Sequence, residues 1–182
     1  MDEIRIELID GCVLRSLRAD DVDAIYAASL ANEEHLRTWM PWANDVRRER
    51  TEAYVVSVLG LFASDEALPA LIVEGDAVVG SCSFNRISND NHSAAIGYWL
   101  AATHVGRGLM TAAVRALLAH GFGTLGLHRI EIGAAPGNAR SRAIPERLGF
   151  TEEGVLRESE RHPDRYVDIV LYSLLAQERD GR

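Results

Sequence analysis

Anion binding is the first chemistry the sequence offers. In His104-Val105-Gly106-Arg107-Gly108-Leu109-Met110-Thr111 two glycines flank an arginine. Leu109, Met110, Ala113, Val114, Leu117, Leu118 and Phe122 then recur at helical spacing, so the spacing predicts a helix that starts here. The first amides of a helix lack intrahelical acceptors, and the aligned peptide dipoles put partial positive charge on them. Glycines let a phosphate approach that backbone closely. The amides of Gly106, Arg107, Gly108, Leu109 and Met110 are therefore candidates to hold an anion. The Arg107 side chain either adds a charge there or lies solvated. An ordinary strand-to-helix turn that happens to carry glycines would look the same.

A second feature is Trp39-Met40-Pro41-Trp42. Pro41 interrupts any helix at this point, and aromatics on a connection either cover the core or wall a ligand cleft. Next to it, Arg47-Arg48-Glu49-Arg50 reads as a solvated charged helix start.

These residues need elements to position them. Ile4, Ile6 and Leu8 alternate with charged residues as in a half-buried strand, and Asp10-Gly11 turns the chain back into Val13–Leu17. Asp20 or Asp21 is placed to cap a helix carrying Val22, Ile25, Tyr26 and Leu30, and Tyr54, Val55, Val58, Leu59 and Phe62 mark a second helix. Leu68–Val73 and Ala77–Phe84 read as a hairpin about Glu74-Gly75-Asp76, and Asn89-Asp90-Asn91 turns into the strand Ala94–Leu100 that feeds the glycine loop. Gly121 through Gly126 is expected to break the central helix. Arg129–Ile132 is a short strand, and Asn138–Leu148 is a helix closed by Gly149, with Pro145 near a bend. Phe150–Leu156 and Tyr166–Leu175 are the last strands, joined by the charged connection 157–164. This order predicts an α/β (α+β) fold, a mixed sheet with helices on its faces.

Composition narrows the partners. The 182 residues predict one domain, 1–182, with 47% apolar and 25% charged residues as in a globular protein. The net charge of −8 argues against bulk nucleic-acid binding and leans toward a basic or amine substrate. Cys12 and Cys82 have no metal-ligand spacing and read as buried free thiols of a reducing compartment. The first residues lack a signal-peptide pattern, and no apolar run approaches the roughly 20 residues a membrane span needs. The expectation is a cytoplasmic protein with no membrane and no nucleic-acid partner.

In combination the pieces resemble the GNAT superfamily of acyl-CoA-dependent N-acetyltransferases, and within it the Rim-type branch of bacterial ribosomal-protein N-terminal acetyltransferases. The resemblance rests on Ile96-Gly97-Tyr98-Trp99-Leu100 followed by Gly106-Arg107-Gly108-Leu109-Met110-Thr111, on Asn138 through Phe150, and on Trp39-Met40-Pro41-Trp42. It spans nearly the whole chain. It departs from the superfamily pattern at Val105, where Gln or Arg usually begins the loop, and at Met110, where a small residue usually ends it.

The resemblance implies a GNAT-like, mainly antiparallel central sheet and acetyl-CoA as co-substrate, with no metal. It implies coenzyme A contacts from Trp99, Leu100, Val105, Gly106, Arg107, Gly108, Leu109, Met110, Asn138 and Ser141. Trp99 and Leu100 would offer backbone groups to the pantetheine arm as a neighbouring strand does, and one amide would polarise the thioester carbonyl. Asn138 is equally a plain helix N-cap. Ser141 matches the family hydroxyl near the sulfur and is assigned the leaving-group proton; a second helix-start hydroxyl is the alternative. Glu160 matches the branch carboxylate that meets the amine, as base or as ammonium ligand; the alternative is a solvated loop charge. Glu131, His104 and His162 are rivals for the base.

The implied activity is direct acetyl transfer in a ternary complex to a primary amine, including a protein N-terminal α-amine, by a monomer or homodimer. Two alternatives are the same chemistry on a small-molecule amine or antibiotic, and a non-catalytic acyl-CoA sensor. A sensor needs neither Ser141 nor Glu160.

Overall fold

The computed structural model describes residues 1–179; the last three residues of the expected 1–182 domain lie outside the described part. The chain begins with a hairpin of β1 (Arg5–Glu7) and β2 (Cys12–Ser16). Its turn needs positive φ at both central residues, and Asp10 (54°) and Gly11 (74°) supply it. A 3-10 turn, Ala19–Asp21, leads into α1 (Val22–Ala31). Here the capping expectation is refined. The Asp21 carboxylate caps the short turn by accepting the Arg18 amide (2.7 Å), and it accepts two bonds from the Arg15 guanidinium (2.6 and 2.7 Å). Burial alone would push this carboxyl up; Arg15 and the Arg18 amide hold it below the usual range.

After α2 (Glu33–Leu36), a second 3-10 turn at Pro41–Asn44 and α3 (Arg48–Ala63), the chain forms β3 (Ala70–Glu74), β4 (Ala77–Ser88) and β5 (Ser93–Leu100). Then come α4 (Leu109–Gly123), β6 (Arg129–Ala134), α5 (Ala139–Arg147), β7 (Thr151–Arg161) and β8 (Tyr166–Leu175). The eight strands form one sheet in the order β1-β2-β3-β4-β5-β6-β8-β7. Every neighbouring pair is antiparallel except β5 and β6.

Both faces of the sheet are covered, which explains why β3 reads as continuously apolar rather than alternating. Leu71 and Val73 pack with Ile25 and Val55 of α1 and α3, while Ala70 and Ile72 belong to the larger cluster with Leu109, Val114 and Leu117 of α4. The central helix ends at Gly123, inside the glycine-rich stretch expected to break it. Gly121 is a packing glycine: a Cβ there would stand 2.8 Å from Phe84 and 2.9 Å from Ile130, so its absence lets α4 lie close on the sheet. One expected boundary moves: β7 runs on to Arg161, through a segment expected to be a connection.

Candidate active site

The one parallel pair opens the sheet. β5 and β6 are in register only from Ser93 opposite Arg129 to Ile96 opposite Ile132. Beyond that, Gly97–Leu100 keep pairing with β4, and Gly133 and Ala134 keep pairing with β8. The strands part, and β5 presents an unpaired backbone edge to the gap. A cleft of about 1040 Å³ occupies it, lined by Gly97, Tyr98 and Trp99 of β5, Gly133 and Ala134 of β6, and Asn138 and Ser141 at the start of α5. β4 bulges beside it: Phe84 faces Ile96 and Arg86 faces Ala95, leaving Asn85 extra. The Asn85 amide fills the space a side chain on Gly97 would need, its nitrogen 1.9 Å from a Cβ placed there.

The glycine loop lies at the end of β5. Gly106 (φ 86°) and Gly108 (φ 77°) hold left-handed backbone that a side chain disfavours, and nothing lies within 4 Å of where a Cβ on Gly106 would stand. Gly108 is the N-cap of α4 and has no side chain to cap it. The first turn of amides is thus left to an external acceptor. Leu109 and Met110 bury their side chains in the core, leaving only backbone for a ligand.

Arg107 is exposed, as a solvated side chain would be, and it is also ion-paired. Its guanidinium meets Asp10 (3.0 and 3.3 Å) and Glu74 (3.5 Å), which sit at the ends of the first two hairpins. His104 Nε2 lies 3.2 Å from Glu74 as well. The side chain therefore ties the loop to the sheet. Leu100 and residues 105–110 lie outside the lining of the cleft itself.

On α5, Asn138 Oδ1 accepts the Ser141 amide at 3.1 Å, the expected N-cap bond. Ser141 Oγ donates to the Tyr98 hydroxyl at 3.1 Å. The helix is seated by Arg142, which reaches the buried Tyr172 hydroxyl (2.7 Å) and Glu152 (3.2 Å).

Glu160 lines the same cleft. It stands on β7 opposite Val167, not in a loop as expected. The strand is irregular between Leu156 and Glu160. Glu158 takes φ 50° there, and its amide bonds to Asp168 at 2.7 Å. This local detour lets a charged stretch remain in the sheet. Glu160 Oε1 shares a 2.8 Å hydrogen bond with Nε2 of the buried His162. Of the rivals, Glu131 pairs with Arg129 and Arg86, and His104 pairs with Glu74; neither lines the cleft.

The aromatic connection does wall the cleft. Trp39, Met40, Pro41 and Trp42 line it, and Trp42 packs edge-on against Trp99 with ring centroids 6.1 Å apart. Trp39 approaches Gly137, 3.5 Å from a Cβ placed there. The charged start of α3 is exposed, as expected, and Arg47 and Arg50 both pair with Asp45 at the wall of the cleft. The sequence reading missed Tyr98 and Tyr54 as cleft residues, because strand or helix periodicity assigns a residue to a face but not to a gap between strands.

Among the described residues no group of His, Cys, Asp and Glu could hold a metal ion, and no helix is long and apolar enough to cross a membrane. Cys12 and Cys82 are buried free thiols, and burial pushes the Cys82 thiol far up.

Comparison with known proteins agrees with this geometry. The acetyltransferase (GNAT) domain family matches residues 12–151. The chain is 33% identical over 170 residues to the putative ribosomal N-acetyltransferase YdaF of Bacillus subtilis (strain 168), covering 92% of this chain and 93% of the relative. It is 31% identical over 169 residues to a ribosomal-protein-serine acetyltransferase of Escherichia coli (strain K12), covering 92% and 94%. Among solved structures, RimL, a ribosomal L7/L12 alpha-N-protein acetyltransferase in complex with coenzyme A, superposes with a TM-score of 0.88 at 29% identity, covering 94% of this chain and 98% of that one. An open sheet with one parallel seam, a glycine loop at a helix N-terminus and a matching family pattern lead to one conclusion: this chain belongs to the acetyltransferase (GNAT) family.

Proposed function

We propose that this protein acetylates the N-terminal α-amine of a protein, with Glu160 and Ser141 handling the two proton movements. The chain is an acetyl-CoA-dependent N-acetyltransferase, as its family and its ribosomal-protein acetyltransferase relatives are. The observation that carries the finer reading is the shared cleft, in which Ser141, Glu160 and the aromatic connection all face the gap where β5 and β6 part.

When bound, acetyl-CoA supplies an electrophilic thioester carbonyl and a thiol leaving group. The unpaired edge of β5 at Trp99 and Leu100 offers amides and carbonyls to the pantetheine arm, and the amides of Gly106 through Met110 meet the pyrophosphate. Each such helix-terminus contact contributes about 0.3–1 kcal/mol when exposed and up to about 2 when partly buried. Asn138 holds the Ser141 backbone at the turn. Ser141 Oγ gives its proton toward the departing sulfur. Glu160 takes the proton the amine gives up as the new N–C bond forms, and His162 holds one of its oxygens.

The amine's own acidity favours an α-amine over lysine. An α-amine has a pKa of about 7.7–8.0 and a lysine about 10.4, so freeing a lysine nitrogen near neutrality costs roughly 3.5 kcal/mol more. A mouth with exposed Trp42 and Tyr54 beside it suits a peptide segment entering amine first. Ribosomal protein N-termini are the candidate acceptors, by similarity to the named relatives.

The test is thiol release with mass spectrometry of the product, on a panel of free-N-terminal peptides, N-blocked lysine peptides and small amines. The expected result is acetylation at the free N-terminus. Transfer only to small amines would overturn the protein-acceptor reading, and binding without release would mark a sensor.

A further inference from the structure

Helix α5 carries a proline in its interior, Pro145, four residues after Ser141. In a regular α-helix the Ser141 carbonyl would accept the N–H of residue 145, and proline has none. Leaving a carbonyl without a partner at the wall of an apolar cleft is costly. It is not left so. The Tyr98 hydroxyl reaches across from β5 and donates to that carbonyl at 3.1 Å. The same phenol oxygen accepts Ser141 Oγ–H, also at 3.1 Å. Tyr98 is thereby held by both the backbone and the side chain of one residue, and all its hydrogen-bonding capacity near Ser141 is committed. Burial pushes the phenol far above its ordinary range, so the hydroxyl keeps its proton at any working pH. Pro145 is fully buried and cannot be on the surface by accident of loop composition.

We propose that Tyr98 is a positioning residue for acetyl transfer: Pro145 withholds an amide, the carbonyl this frees fixes the Tyr98 hydroxyl, and Tyr98 fixes the rotamer of Ser141 Oγ. This rests on the reading of Ser141 as the proton donor to the leaving sulfur. In the arrangement seen, Ser141 Oγ donates to Tyr98 while Tyr98 donates to the Ser141 carbonyl. During transfer the Ser141 hydroxyl turns from Tyr98 to the departing sulfur, and Tyr98 stays on the carbonyl. The Ser141 O–H bond breaks as the S–H bond forms, and Oγ takes a proton from water in the same step. Glu160 returns the amine's proton to that water, so the cycle consumes none. A hydroxyl pair of this kind supplies orientation, and misplacement by about 1 Å costs on the order of a hundredfold in rate.

The experiment is steady-state kinetics with acetyl-CoA and an N-terminal peptide, with thermal melting, on wild type, Tyr98→Phe, Pro145→Ala, the double variant and Ser141→Ala. Tyr98→Phe is expected to lower kcat about tenfold to a hundredfold, to leave the KM for acetyl-CoA within about twofold, and to lower Tm. Pro145→Ala restores an N–H that takes the carbonyl from Tyr98, so kcat falls while Tm holds. In the double variant that N–H satisfies the carbonyl, so Tm recovers from the Tyr98→Phe value while kcat stays low. Recovery of kcat together with Tm would show a merely structural tie and overturn the proposal. Wild-type kcat in Tyr98→Phe with an impaired Ser141→Ala would overturn it while leaving Ser141 its role. Wild-type kcat in Ser141→Ala would overturn the Ser141 reading and this proposal with it. If Tyr98→Phe does not fold, Pro145→Ala and the double variant decide.

Discussion

Glu160 and Arg107 show how differently two charged residues are used. Glu160 reaches the cleft because β7 detours at Glu158, and His162 ties up one of its oxygens. Glu160→Gln keeps the shape and loses the basicity. It is expected to lower kcat by about a hundredfold or more with little change in acetyl-CoA affinity. Peptide kinetics across pH check this, and a wild-type profile would remove Glu160 from proton transfer. Arg107 is the reverse case, a cation spent on holding the loop. Its partners Asp10 and Glu74 offset its charge, and on the proposed reading the backbone amides would carry the anion. Arg107→Ala is therefore expected to weaken acetyl-CoA by less than about tenfold in calorimetry. A loss beyond a hundredfold would place the guanidinium on the phosphate instead.

At the scale of elements, glycine positions separate binding from packing. Gly108 caps α4 from a left-handed conformation. Aspartate tolerates that conformation and is a good N-cap type. Gly108→Asp should therefore keep a near-native Tm while its carboxylate takes the amides proposed for pyrophosphate. Acetyl-CoA affinity is expected to fall at least about tenfold, and unchanged affinity by calorimetry would count against the loop. Gly121 is closed in by Phe84 and Ile130, so Gly121→Ala should destabilise the fold by about 1–3 kcal/mol. Gly60 in α3 has open space and helical backbone, so Gly60→Ala should stabilise it by about 0.4–1 kcal/mol. Denaturant melts of the two alanine variants check both signs.

At the scale of the molecule, a charge network spans the three strands beyond the parting. Arg129 of β6 makes two 2.6 Å bonds to Glu153 of β7 across β8, and Ser173 of β8 adds a third at 2.7 Å. Arg129, with Ser173 behind it, brings the Glu153 carboxyl down to about 2. A depressed carboxyl contributes stability that is present above the unfolded value, about 4.3, and lost as pH falls through the folded one. Wild type should therefore lose stability between about pH 4.3 and 2 more steeply than Glu153→Gln. Both chains melted over that window provide the check. Glu153 is about one-third exposed, so solvent moderates the gain.

The sequence by itself determined what depends on near neighbours. The Asp10-Gly11 turn, the glycine loop opening α4, the Asn138 cap and the aromatic run broken by Pro41 all follow from residues a few positions apart, where local sterics and hydrogen bonding decide. Even the alternation that assigned β-strand faces is local. Only the tertiary structure decided the site. The cleft exists because β5 and β6 separate after Ile96, and strand divergence leaves no trace in periodicity. Tyr98 and Ser141 lie 43 positions apart and Arg107 and Asp10 lie 97 apart. Such contacts are fixed by how distant strands register in one sheet. For the same reason a loop reading of Glu160 was reasonable from composition and failed in three dimensions, and the partners of the exposed Arg107 could not be read from its neighbours.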